Sequence, residues 1–145
     1  MRDLPRQLNA DGLAELFEGR TRLVELLAAR ERPLETAPEA IAELSEAEKL
    51  EALNAHPAIG ARDLSARSAE EQGLDADPVV LTELAYLNQV YEEKFGFRFV
   101  VFVNRRPKLE ILGELRSRLE RTREEELETA LTELVAIARD RWERE

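Results

Sequence analysis

Residues 77–103 read DPVVLTELAYLNQVYEEKFGFRFVVFV, a strong helix followed at once by the only β-like run of the chain. Asp77 and Pro78 form a helix start, with the carboxylate at the cap and the proline in the first turn, where its missing N–H is not needed. Val80, Leu84, Leu87 and Tyr91 then fall at steps of three and four on one face, and Gly96 supplies a left-handed stop. The run 97–103, FRFVVFV, has strand-like composition, yet no second strand is legible elsewhere in the 145 residues to pair with it. It is either a buried extended segment or a helix start. Both readings leave an all-α fold.

On the N-terminal side, Asn9 or Asp11 can cap a short helix carrying Leu13, Leu16 and Phe17, and Thr21 another carrying Leu23, Val24, Leu26 and Leu27. The stretch 32–35, Arg-Pro-Leu-Glu, breaks the pattern. Thr36-Ala-Pro-Glu39 reads as a capping box before Ile41 and Leu44, and Ser45-Glu-Ala-Glu48 as a second one before Leu50 and Leu53. Downstream, two long helices are expected: 107–121 with Leu109, Leu112, Leu115 and Leu119, and 124–143 with Leu127, Leu131, Leu134 and Ile137 or Ala138. The expectation is a single-domain helical bundle over residues 1–145, with seven to eight helices and one short extended segment near 97–103.

Composition removes several functions. There is no cysteine, so disulfides, thiolate nucleophiles and Cys-based metal centres are absent, and with one histidine a protein-built transition-metal site is not expected. A formal net charge of −10 disfavours nucleic acid and anionic membrane as partners. Basic clusters such as Arg105-Arg106 and Arg116/Arg118/Arg121 are interleaved with acids and read as solvated helix faces. The first residues, MRDLPRQLNADG, lack an apolar signal region, and no run approaches the roughly 18 apolar residues of a membrane span, so a soluble cytoplasmic protein is expected. Gly-x-Gly-x-x-Gly, P-loop and Gly-x-Ser-x-Gly motifs are missing, which disfavours nucleotide cofactors and serine hydrolysis.

Two residues stand out. His56 is the one side chain whose ordinary pKa, roughly 6.5, allows it to exchange a proton near neutrality. Pro57 steers the residue before it away from helical backbone, so His56 sits at a helix–loop junction, where it is either a catalytic group or a helix C-cap suited to the dipole. Arg141 continues the apolar series of the last helix beyond Leu134 and Ile137, whereas Arg139 lies off it. It is either a buried functional arginine or a side chain that snorkels to water or pairs with Glu145.

In order, the landmarks are His56-Pro57-x-Ile59-Gly60, Ser68-x-x-Glu71-Gln72, Leu87-Asn88-x-x-Tyr91-Glu92-x-Lys94-Phe95-Gly96-Phe97-x-Phe99, and a helical tail through Ile137-Ala138-Arg139-Asp140-Arg141. Over essentially the whole chain this resembles the 2-oxo-4-hydroxy-4-carboxy-5-ureidoimidazoline (OHCU) decarboxylases, which form (S)-allantoin in urate breakdown. The Leu-Asn-x-x-Tyr-x-x-Lys-Phe-Gly-Phe and His-Pro-x-Ile-Gly blocks are its most specific parts; Ser68 and Glu71 alone would also fit a capping box.

The resemblance implies an all-helical fold, no cofactor, no metal and a homodimer acting on a small-molecule substrate. His56 then matches the catalytic histidine, Glu71 the catalytic carboxylate, and Arg141 the C-terminal substrate-binding arginine. Ser68 and Gln72 match residues that hydrogen-bond the ureido-imidazoline; Pro57, Phe99 and Val101 match residues lining the pocket, the latter two through the 99–101 backbone. Two departures bear on the 60–67 loop and the alignment of Glu71: the interval from His56 is shorter than in many members, and Ala58 stands where others carry a larger or charged residue.

The chemistry suits this set. Loss of carbon dioxide leaves charge that a ring can delocalise when donors are aimed at its heteroatoms. An arginine fork can grip an oxygen bidentately, Ser68 and Gln72 can hold the ureido arm, and His56 beside Glu71 is an acid–base pair in which the carboxylate favours the charged imidazole. The competing readings are a non-catalytic helical interaction module, in which these residues are caps and surface pairs, and a relative acting on another ureide.

Overall fold

The computed structural model describes residues 8–57 and 77–144. Among them are seven helices and no strand: α1 Ala10–Leu16, α2 Arg22–Ala28, α3 Ala37–Ala42, α4 Glu46–Asn54, α5 Pro78–Phe95, α6 Lys108–Arg118 and α7 Arg123–Glu143. Helix α7 serves as the spine on which α1, α3 and α4 pack, while α2 packs on α1, α3 and α4, and α5 pairs with α6.

Most helix ends follow from their sequence. Asn9 caps α1 by accepting from the Gly12 N–H at 2.8 Å, Thr21 caps α2, and Ser45 with Glu48 forms both halves of a capping box on α4. Asp77 accepts from the Val79 N–H at 2.9 Å with Pro78 behind it, and Gly96 closes α5 at φ 83°, a left-handed backbone that costs glycine nothing. A further capping box, Thr122 with Glu125, opens α7. Thr36 corrects the sequence reading: it precedes α3 without capping it, because its hydroxyl donates to the Arg32 carbonyl at 2.7 Å and accepts from Arg30 Nε at 2.8 Å.

The core joins the inner faces of all seven helices, with Leu13, Leu23, Leu27, Leu53, Ile111 and Ala138 fully enclosed. The phase of α6 differs from expectation. Ile111, Leu112, Leu115 and Arg118 are buried while Leu109 is 66% exposed, so the apolar stripe runs one step away from Leu109 and ends in an arginine. The 97–103 run belongs to no helix and no sheet, and it threads the core with Phe97, Phe99, Val100, Val101 and Val103 all buried.

Candidate active site

Helix α4 ends at Asn54, and two hydrogen bonds fix the chain just beyond it. The His56 N–H donates to the Leu53 carbonyl at 3.2 Å, and the His56 carbonyl accepts from Arg98 Nη1 at 2.8 Å. The Arg98 N–H in turn donates to Asn54 Oδ1 at 3.0 Å, so the segment leaving α5 is stitched to the end of α4. The imidazole is 8% exposed, and its Nδ1 has no hydrogen-bond partner among the described residues. Burial first, then the Arg141 and Arg98 guanidiniums, pull its pKa down to about 3. A ring held neutral in this way is not a charged helix cap, and the C-cap position is taken by Ala55. The expected carboxylate partner that would favour the charged form, Glu71, lies outside the described residues, as do Ser68 and Gln72.

Arg141 is enclosed near the end of α7, on one face with Leu134, Ile137 and Ala138, whereas Arg139 is exposed. Its Nη1 donates to the carbonyl of Leu16, the last residue of α1, at 3.0 Å and lies 3.8 Å from Glu18 Oε1. The snorkel reading is therefore wrong, because a guanidinium on this stripe points into the bundle. The Leu16 carbonyl at a helix C-terminus is a natural acceptor for it. His56 and Arg141, distant in sequence, come near enough for the guanidinium's charge to oppose protonation of the ring. Pro57 is half-buried beside His56.

The 97–103 run shows a period of two. Along it the Arg98 N–H donates to Asn54, the Val100 carbonyl accepts from Arg118 Nη1 at 2.9 Å, the Phe102 N–H donates to Glu133 Oε1 at 3.1 Å, and the Phe102 carbonyl accepts from Arg106 Nη2 at 2.7 Å. Over 98–102 the even positions are tied by side chains of α4, α6 and α7 and of the turn before α6; at the turn itself the alternation ends, and the Val103 carbonyl accepts from Arg106 Nε at 3.1 Å and from the Arg106 N–H at 3.0 Å. Among the described residues nothing accepts from the N–H groups of Phe99 and Val101. An extended chain turns successive backbone groups to opposite sides, so the run has one laced edge and one open edge without belonging to a sheet.

The lacing rests on a buried polar network that the sequence reading missed. Arg118 is 4% exposed and corrects the expectation of a solvated face: its Nε donates to Glu126 Oε1 at 2.7 Å, and its guanidinium lies over the Phe99 ring at 4.6 Å. Tyr91 donates to the same Glu126 oxygen at 2.6 Å, and Arg121 Nη1 lies 3.1 Å from the other. The signal was available, since Ile111, Leu115 and Arg118 lie four and three apart, the same argument that picks out Arg141. Two grooves where α7 borders α3 and the segment between α2 and α3, lined by residues such as Ile41, Leu131 and Trp142, include neither His56 nor Arg141.

Comparison with known proteins identifies the family and the fold. The sequence profile of the OHCU decarboxylase family matches residues 2–143. The chain is 36% identical over 108 residues to the 2-oxo-4-hydroxy-4-carboxy-5-ureidoimidazoline decarboxylase of Halalkalicoccus jeotgali, covering 71% of this chain and 61% of that one. It is 30% identical to the uric acid degradation bifunctional protein of Bacillus subtilis over 97% of this chain and 31% of the other. The match thus spans less than two thirds of either relative's length. A solved OHCU decarboxylase, crystallised in the presence of (S)-allantoin, superposes with a TM-score of 0.74 at 26% identity, over 88% of this chain and 92% of that one. The chain belongs to the OHCU decarboxylase family.

Proposed function

We propose that this protein decarboxylates 2-oxo-4-hydroxy-4-carboxy-5-ureidoimidazoline to (S)-allantoin in urate catabolism, as a carboxy-lyase that uses no cofactor. The observation that carries the reading is the burial of both His56 and Arg141, with the guanidinium near enough to act on the ring's charge, and an open backbone edge at Phe99 and Val101 in the same core. Caps and surface pairs of an interaction module would be solvated and charged. A buried neutral imidazole beside a buried guanidinium suits binding and proton transfer at an anionic substrate.

In this reading the substrate carboxylate enters among Arg141, Arg98 and His56. Its negative charge offsets the two guanidiniums and raises the basicity of the imidazole. His56 accepts the proton of the 4-hydroxyl, the bond from C4 to the carboxylate breaks, carbon dioxide leaves, and the electron pair spreads into the conjugated ring. The hydroxyl oxygen becomes the carbonyl of the product, the ring nitrogen that receives the electron pair takes up a proton from solvent, and the proton returned by His56 to the adjacent ureido-bearing carbon from one face gives the (S) configuration. The Phe99 and Val101 N–H groups and Arg141 are donors aimed at the developing charge. Glu71 acts with His56, Ser68 and Gln72 orient the ureido arm, and Pro57 lines the pocket. The active form is a cytoplasmic homodimer of one decarboxylase domain per chain, covering residues 1–145.

The test is to supply freshly oxidised urate and follow circular dichroism. Spontaneous decay gives racemic allantoin, so an (S) excess is expected with the protein present; a racemate at the spontaneous rate would sink the assignment.

A further inference from the structure

The Arg118–Glu126 pair is a poor candidate for a source of stability. Burying two charges costs several kcal/mol per ion, a cost that mutual attraction often only offsets. Here, moreover, Arg118 Nη2 has no partner among the described residues. What the pair does geometrically is more specific. Glu126 is fully enclosed and held by Tyr91 through Oε1, and that same oxygen receives Arg118 Nε. A guanidinium is planar and rigid, so fixing Nε and resting the face on Phe99 determines where Nη1 points. It points at the Val100 carbonyl, the middle of the 97–103 run.

We propose that Arg118, locked by Glu126, is a positioning residue of the active site: by holding the Val100 carbonyl on the laced side, it turns the Phe99 and Val101 N–H groups to the side that receives substrate. The inference rests on the decarboxylase reading for the identity of that substrate. Its mechanism belongs to the backbone. The Val100 carbonyl and the Val101 N–H share one planar trans peptide and point opposite ways, so holding the carbonyl aims that donor, and keeping residue 100 extended leaves the Phe99 N–H on the same side; no sheet is present among the described residues to hold the strand in its plane. Five side-chain ties hold it instead, and Arg118 provides the central one, between the two open N–H groups.

The experiment compares wild type with Arg118→Met/Glu126→Leu, which replaces the buried pair with apolar side chains of similar length, and with Tyr91→Phe, which removes one bond to Glu126 but leaves the tie to Val100. Each is measured for thermal midpoint, for kcat and KM on the ureidoimidazoline, and for the amide NMR signals of Phe99 and Val101 on titration with (S)-allantoin. The double variant is expected to stay folded, raise KM about tenfold or more, lower kcat, leave the pH dependence of kcat unchanged, and shift both amide signals before ligand is added. Tyr91→Phe is expected to lower the midpoint with wild-type KM. If the double variant does not fold, Arg118→Lys, which keeps the charge without the fork, is read in the same way. A folded variant with wild-type KM and unmoved amides overturns the positioning role while leaving the decarboxylase reading intact. A wild type that yields no (S) excess overturns the latter, and the amide shifts still report on the tie.

Discussion

An imidazole this deeply buried with two guanidiniums near it makes stability depend on pH in a definite direction. The unfolded chain binds a proton at His56 near the ordinary value of 6.5, and the folded one only near 3, so between these values the unfolded state holds the extra proton. Stability is therefore fully present above about pH 6.5 and falls as the pH drops toward 3, by at most about 1.4 kcal/mol per unit from this group. Urea unfolding at pH 7 and pH 5 checks it: wild type is expected to lose about 2 kcal/mol more than His56→Asn over that interval, and equal losses would contradict a buried neutral ring. Arg141 carries two tasks, holding the Leu16 carbonyl and acting on the charge of His56. Arg141→Lys keeps the charge but loses the fork, so turnover is expected to drop at least about tenfold with some loss of stability. Arg139→Lys, on the exposed side of the same helix, is the matched control and is expected to turn over substrate as wild type does. If Arg139 proves the sensitive one, the assignment of Arg141 to the site is wrong.

At the scale of the element, local chemistry dictates most boundaries, and tertiary contacts explain the exceptions. Ser45, Thr122, Asp77 and Gly96 act through bonds to their own helix, so a reader of the chain can find them. Thr36 has the same signature and fails, because two neighbouring arginine residues engage its hydroxyl from outside α3. The contrast is testable by thermal or urea unfolding: Thr122→Ala is expected to cost about 1 kcal/mol through loss of the hydroxyl that accepts from the Glu125 N–H, the backbone half of the capping box being kept. An unchanged midpoint would mean that packing of α7, not its cap, sets that end. The 97–103 run is legible in the sequence as an oddity, a strand with no sheet, but its solution is not. Its backbone partners are Asn54, Arg106, Arg118 and Glu133, contributed by three helices and a turn, and nothing in the run itself names them. Leu109 and Arg118 mark the same gap. A leucine series begun at Leu109 puts that residue in the core, and charge interleaving puts Arg118 at the surface, whereas the buried stripe of α6 runs through Ile111, Leu115 and Arg118 on the helix that pairs with α5.

For the whole molecule, the all-helical fold followed from the order of punctuation, while junction and periodicity arguments singled out His56 and Arg141 as candidates and the resemblance gave them roles. The roles of Glu71, Ser68 and Gln72 rest on the resemblance alone, since these residues lie outside the described part. With no cysteine and one histidine in the chain, activity is expected to survive exhaustive chelation unchanged; loss on chelation with recovery on adding one divalent ion would reveal an oxygen-ligand site. What unites the fold is that its longest helix brings Arg141 beneath α1 while the strand-like run ties the end of α4, so that residues from both halves of the chain meet at His56. The decisive measurement is the circular dichroism assay of (S)-allantoin formation on wild type and His56→Asn side by side, both shown to be folded at pH 7. Wild type is expected to give an (S) excess and the variant to lose at least about 10²-fold in stereospecific rate; an (S) excess retained by the variant at the wild-type rate would contradict a catalytic His56.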